Sequence, residues 1–248
     1  MAISTDKKKP AFVLVPGASQ NPAHYAHLLH LLQSAGYGAT TGLLPSVGAQ
    51  GEVTAADDAD YVRNRLILPI LDIGSQDVIL ISHSYSGMPA SAAAHGLGPA
   101  DRAAEGKATS VVGQIFIATI LPRGGVSVID SFGGHLPPHM YIDPPLFYDV
   151  EPTLAHAATQ SSLSEGLISF SSPCPEPSWD TEAFRGRVAY IHTLKDHAVP
   201  YEAQVAMVQA TGVKWITREV AAGHSVQLSA PEELTRIILE LAEQFRSN

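Results

Sequence analysis

Short apolar runs rich in β-branched residues alternate along this chain with segments whose leucines recur at helical spacing, and that alternation restricts the fold more than any other feature. Ala11 to Val15 ends at Pro16-Gly17, and Pro22 to Ala35 then carries Leu28, Leu29, Leu31 and Leu32 at intervals of a helical turn. Gly38 to Leu44, Val78 to Ser82, Val111 to Ala118, Arg187 to Thr193 and Val213 to Val220 read as further strands. Thr54 to Leu71 predicts a long helix with Thr54 as N-cap, Gly87 to His95 a small-residue helix, and Pro231 to Phe245 a final helix opened by proline. Apolar strands separated by helices predict an α/β fold: a mostly parallel, doubly wound sheet with helices on both faces.

Leu121 to Asp180 breaks the alternation. It is rich in Pro and Gly, with Pro137-Pro138, Pro144-Pro145 and the run Pro173, Pro175 and Pro177, and it is too long for a plain loop. The expected organisation is a core of residues 1–120 and 181–248 with an inserted cap or lid, 121–180, over the carboxyl ends of the strands, where open α/β sheets bind ligands. The insertion carries Phe132, His135, His139, Met140, Tyr141, Phe147, Tyr148, Phe170 and Trp179. Such side chains suit either the lining of an apolar pocket or the packing of the lid onto the sheet.

Chemistry enters where Val78 to Ser82 runs into His83-Ser84-Tyr85-Ser86-Gly87 and then a helix, the strand, sharp turn and helix that a nucleophile elbow requires. Ser82 and Ser86 occupy the positions where the usual pattern has glycine. A catalytic serine needs an imidazole to take its proton, and the imidazole needs a carboxylate to set its tautomer. Asp196, just past the strand ending at Thr193, and His224, just past the strand ending at Val220, supply both in the order Ser, acid, His. This is the α/β-hydrolase arrangement: Ser84 as nucleophile, His224 as base and Asp196 as acid. The oxyanion donors expected with it are the backbone N–H groups of Tyr85, after the nucleophile, and Ala18, after the first strand.

These residues resemble the plant methylesterase and hydroxynitrile lyase branch of the α/β hydrolases, together with related microbial esterases. The resemblance covers the core and not the insertion. It rests on Val15-Pro16-Gly17-Ala18, where the family has His-Gly-Ala and proline stands for the histidine, and on Asp196 followed by Pro200. Gly223-His224, the 28-residue spacing from Asp196 to His224, and His224 to Pro231 complete it. Members that cleave cyanohydrins carry lysine directly after the catalytic histidine, whereas this chain has Ser225. The resemblance therefore implies ester hydrolysis over cyanide release.

The remaining features narrow the function class. Net charge is −9, which argues against a nucleic-acid partner, and Lys7-Lys8-Lys9 reads as a solvated leader. No segment has the length of a membrane span or signal-peptide core, so a cytoplasmic location and no membrane partner are expected. Cys174, the only cysteine, has no base beside it and reads as a bystander. His24, His27 and His30 recur every third residue, yet no carboxylate or cysteine joins them, so no metal is expected. His83 is expected to pack behind its strand. No dinucleotide or P-loop motif occurs, and no cofactor is expected.

The leading expectation is a serine esterase or lactonase that cleaves a small or medium apolar ester or lactone through an acyl-enzyme. A lyase or carbon–carbon bond-forming or eliminating enzyme of secondary metabolism could use the same pocket. A non-catalytic binder of a small ligand is the third reading. The partner implied is a small-molecule substrate, and a homodimer is left open.

Overall fold

The computed structural model describes residues 8–136 and 146–247. Lys7 and the expected contributions of Pro137, Pro138, His139, Met140, Tyr141, Pro144 and Pro145 lie outside the described residues.

Six strands form one parallel sheet: β1 Ala11–Val15, β2 Ala39–Thr41, β3 Val78–His83, β4 Val111–Ile117, β5 Val188–Thr193 and β6 Ile216–Val220, in the order β2-β1-β3-β4-β5-β6. The register places Val15 beside Ser82, Ile117 beside Ile191 and Thr193 beside Val220. Because every pair is parallel, all carboxyl ends share one edge. The chain leaves β1 towards β2 and leaves β3 towards β4, so the connections diverge between β1 and β3 and open a crevice at that edge.

Side chains alternate across a strand, so each strand feeds two cores. Val13, Val15, Leu80, Phe116 and Tyr190 face one side. Phe12, Leu14, Ile79, Ile81, Ile115 and Ile191 face the other. The second face is covered by α1, Ala26–Ser34, and by the C-terminal helix Pro231–Ser247, which presents Leu234, Ile237, Ile238, Leu241 and Phe245 at three- and four-residue spacing. Burying each such side chain contributes roughly 1.5 to 3 kcal/mol.

α2, Ala55–Tyr61, opens as expected on Thr54, whose hydroxyl accepts the Asp57 N–H while Asp57 accepts the Thr54 N–H. It continues through Val62–Ile67 and Pro69–Ile73 with wider turns, in which the N–H of Leu68 reaches Arg63 O and that of Gly74 reaches Pro69 O. Pro69 has no N–H to offer, and widening the turn relieves its ring from the carbonyl four residues back. α3, Gly87–Ala93, follows β3 after the single tight turn Ser84–Ser86.

The strands expected at Gly38 to Leu44 and Val213 to Val220 are shorter than their apolar runs. At Gly42 the chain passes so close to Tyr61 that a Cβ would lie 2.6 Å from its hydroxyl, and Trp215 turns inward against Phe116. Some helices among the described residues lack a sequence signal. α4, Pro99–Ala104, is short, and Tyr201–Ala210 buries Gln204 and Val208, which gives no apolar stripe. Among the described residues of 121–180 lie the helices Val128–Ser131, Pro152–Ser161 and Leu167–Ser171. No helix among the described residues is long and apolar enough to cross a membrane.

The seat of the C-terminal helix depends on Gly113 of β4, where a Cβ would lie 2.2 Å from the Phe245 ring. Gly113→Ala should destabilise the fold by about 1 to 3 kcal/mol in urea unfolding. Added to Phe245→Leu the same change should cost markedly less, and equal costs in both backgrounds would show that the ring is not what the methyl meets.

Candidate active site

The three residues expected to act together meet at the carboxyl edge of the sheet. Ser84 follows β3, Asp196 lies three residues past β5 and His224 four past β6. His224 Nε2 is 2.9 Å from Ser84 Oγ, and His224 Nδ1 is 2.8 Å from Asp196 Oδ2. Asp196 also accepts the N–H groups of Ala198 and Val199, each at 2.8 Å, and the Thr193 hydroxyl at 2.8 Å. With donors on both oxygens, Asp196 accepts the hydrogen bond from His224 Nδ1–H, which leaves Nε2 unprotonated to accept from Ser84.

Burial of Asp196 pushes its carboxyl up, yet the facing His224 and these donors outweigh burial and hold it below the ordinary carboxylate range. Gln204 completes the loop. Its Nε2 donates to Val199 O at 2.7 Å and Thr193 Oγ1 at 2.9 Å, and its Oε1 accepts the Thr193 N–H. The apolar-stripe argument could not find Gln204, because its helix spends its buried face on this amide.

Ser84 has φ +56°, a left-handed conformation that side chains avoid and that here turns the hydroxyl out of the sheet edge. Ser86, in place of the usual glycine, braces the turn: its Oγ accepts the His83 N–H at 2.8 Å and points its proton at Val15 O, 2.7 Å away, with His83 O at 2.9 Å. The close crossing falls one residue later. A Cβ at Gly87 would lie 2.6 Å from Thr119 Cβ and 2.8 Å from Ile120 O. Ser82 is buried and reaches Ile115 O at 3.5 Å. Gly17 brings the first loop against the elbow, where a Cβ would lie 3.0 Å from Ser84 Cβ.

Ala18 and Tyr85, the expected oxyanion donors, line the same cavity as Ser84 and His224. It measures about 350 Å³, and its other walls are mostly aliphatic, with Ile120, Val128, Leu136, Leu146, Leu167, Ala198 and Val199, plus Phe170 and one carboxyl, Glu165. Of the aromatic and flexible residues in 121–180, Phe170 lines the cavity. Of the others described, Trp179 is buried against Trp215, Phe132 packs on the core, Phe147 meets the edge of His24, Tyr148 stacks on His197 at 4.0 Å, and His135 is exposed. Asp149 accepts the Gly223 N–H beside His224, an anchor that nothing in the local sequence marks.

His83 does more than fill space behind its strand. Its Nε2 donates to His224 O at 2.8 Å, and Tyr25 and Gln20 surround Nδ1. The histidines of the first helical segment diverge. His24 is buried on Ser161, while His27 and His30 are exposed. Ser225 accepts from Gln20 Nε2 at 3.3 Å. Cys174 is buried, and that burial, with Glu176 nearby, pushes its thiol up to about 12.

Burial and the neighbouring His224 push His83 from 6.5 down to about 3, so it stays neutral in the fold while the unfolded chain takes up a proton. The unfolded state then binds more protons between these two values, and stability is lost as pH falls from 6.5 towards about 3. The loss from this group should be on the order of several kcal/mol, and His83→Gln should remove that part of the slope in thermal unfolding measured across pH. An unchanged slope would mean that other groups carry it.

Comparison with known proteins bears on the fold. A model of the alpha/beta hydrolase family matches residues 12–237. The chain is similar to a probable hydrolase R7 from Phoma sp., at 29% identity over 94% of this chain and 98% of that one. It is equally similar to alpha/beta hydrolase nvfD from Aspergillus novofumigatus, at 29% identity over 94% and 97%. Among solved structures, polyneuridine aldehyde esterase superposes with TM-score 0.70 at 20% identity, covering 94% of this chain and 99% of that one. A pyrethroid hydrolase from Sphingobium faniae gives 0.66 at 20% identity, covering 94% and 97%, and methylesterase MES16 from Arabidopsis gives 0.63 at 19%, covering 94% and 99%. These likenesses establish a shared fold. With the family model spanning most of its length, the chain belongs to the alpha/beta hydrolase family.

Proposed function

We propose that this protein is a serine hydrolase that cleaves a small or medium apolar carboxylic ester or lactone through an acyl-enzyme. The observation that carries this reading is the unbroken hydrogen-bonded chain Ser84, His224, Asp196 at the wall of an apolar cavity of about 350 Å³. That volume lies near the lower end for small-molecule sites, which suits a compact substrate.

In this reading Ser84 Oγ attacks the ester carbonyl carbon as its proton passes to His224 Nε2. Negative charge then forms on the carbonyl oxygen, where the Ala18 and Tyr85 N–H groups stabilise it. His224 returns the proton to the leaving alkoxide, and the carbon–oxygen bond breaks to leave an acyl-Ser84. Water, deprotonated by His224, releases the acid and restores the hydroxyl. Asp196 keeps the imidazole in the tautomer that accepts from Ser84 and stabilises the imidazolium. Residues 121–180 act as a lid, because Val128, Leu136, Leu146, Leu167 and Phe170 form much of the cavity's apolar wall.

The names of the similar proteins support hydrolysis, and esters are the substrates named for two of the structural neighbours. Ser225 places no cation beside His224 to hold a cyanide leaving group, which weighs against cyanohydrin cleavage.

A fluorophosphonate probe read by intact mass should add one label to the wild type and none to Ser84→Ala, and absence of label on both would overturn acyl transfer. On p-nitrophenyl esters, Ser84→Ala and His224→Ala should each lower kcat by about 10⁴-fold or more. Asp196→Asn should cost about 10³ to 10⁴-fold with an unchanged melting profile, because an amide stabilises the wrong imidazole tautomer. Near-normal turnover by Asp196→Asn would place the acid elsewhere.

A further inference from the structure

Two acids outside the Ser84, His224 and Asp196 chain hold the two oxyanion-donor loops, Asp58 at Tyr85 itself and Glu165 at Ser19, the residue after Ala18. Asp58, on α2, is fully buried. Its Oδ2 accepts the Tyr85 hydroxyl at 2.8 Å and the Ser46 hydroxyl at 2.6 Å, and its Oδ1 accepts the Ser46 N–H at 3.0 Å. Glu165 lines the cavity, where its Oε2 accepts the Ser19 N–H at 3.0 Å and its Oε1 accepts the Ser169 hydroxyl at 2.9 Å.

The two acids share a node. Gly166 N–H donates to Ser46 O at 3.0 Å, and Gly48 N–H donates to Ser164 O at 2.7 Å, so the strap around Glu165 is stitched to the loop that Asp58 holds. The same strap takes the other side of Ser19, through Leu163 N–H to Ser19 O at 3.0 Å. Ser19 has φ +63°, a conformation that a non-glycine residue keeps only when its surroundings hold it there. Holding the Ser19 N–H orients the Ala18–Ser19 peptide, and with it the turn that presents the Ala18 N–H.

We propose that Glu165 and Asp58 are positioning residues that brace the two halves of the oxyanion hole, Glu165 through Ser19 and Asp58 through the Tyr85 hydroxyl. The inference rests on the serine hydrolase reading. An oxyanion hole works because its donors are already aimed where charge will develop, so what it needs is rigidity in two loops from distant parts of the chain. Carboxyl oxygens hold N–H and O–H donors more strongly than neutral acceptors do.

The test compares wild type with Glu165→Ala, Glu165→Gln and Tyr85→Phe. Turnover of p-nitrophenyl acetate is read as kcat and KM, and inhibition by phenylboronic acid, which becomes tetrahedral on a reactive serine, reports transition-state affinity. Tyr85→Phe keeps the backbone N–H and the ring and removes only the tether to Asp58. Glu165→Gln keeps an oxygen for the Ser19 N–H.

Glu165→Ala should lower kcat about 10-fold, less than the roughly 10² to 10³-fold for losing a donor outright, with KM within about 2-fold. Boronate affinity should fall in parallel, and Glu165→Gln should recover most of both. Tyr85→Phe should lower kcat about 3-fold or more by the same pattern. Unchanged kcat and boronate affinity, a change confined to KM, or a Glu165→Gln as impaired as Glu165→Ala would overturn the brace. A wild type that neither takes the fluorophosphonate label nor binds the boronate would overturn the serine hydrolase reading, and the brace with it. A labelled wild type with unaffected variants would overturn the brace alone.

Discussion

The site hangs on one strained residue. Ser84 sits in a left-handed conformation between β3 and α3, and such a conformation persists only when its surroundings over-determine it. Here they do so from three directions. β3 is hydrogen-bonded between β1 and β4, Ser86 ties the turn to the end of β1, and Gly87 lets α3 cross closely over Thr119. The serine that replaces the customary glycine is therefore a working part of this elbow: its hydroxyl does by hydrogen bonding what a missing side chain does elsewhere by leaving room.

Given that turn, the electrostatics follow from burial. Asp196 and His224 are almost wholly out of solvent, and a buried carboxylate is tolerable because five donors converge on it. His83, immediately behind, contributes a donor to the His224 carbonyl and no charge, so no cation stands on that side of the His224 imidazole. The Asp196 loop is secured by Gln204 and the His224 loop by Asp149, so each member of the chain has its own local support.

Residues 121–180 serve the site in two distinct ways. Their aliphatic side chains and Phe170 form much of the cavity wall, while their polar groups tie down the loops around it. Ser161, Leu163 and Glu165 hold the loop after β1, Asp149 holds Gly223, and Tyr148 stacks on His197 beside Asp196. Of the described aromatic residues there, Phe170 lines the cavity, while Phe147, Tyr148 and Trp179 make ring contacts elsewhere.

Much of this was legible in the residues themselves. Periodicity set the parallel α/β architecture, because strand and helix repeats of 2.0 and 3.6 residues are local properties. The order of Ser84, Asp196 and His224, each directly after an apolar run, located them at one edge, because parallel strands must bring their carboxyl ends together. The helix at Tyr201–Ala210, the brace from Ser86, and the anchors Asp58, Asp149, Glu165 and Gln204 were decided only by tertiary structure. A hydrogen bond between residues more than a hundred positions apart, such as Ser19 to Glu165, leaves no periodic trace along the chain. It exists because the folded backbone brings the two groups within 3.0 Å, and nothing in either neighbourhood specifies the other.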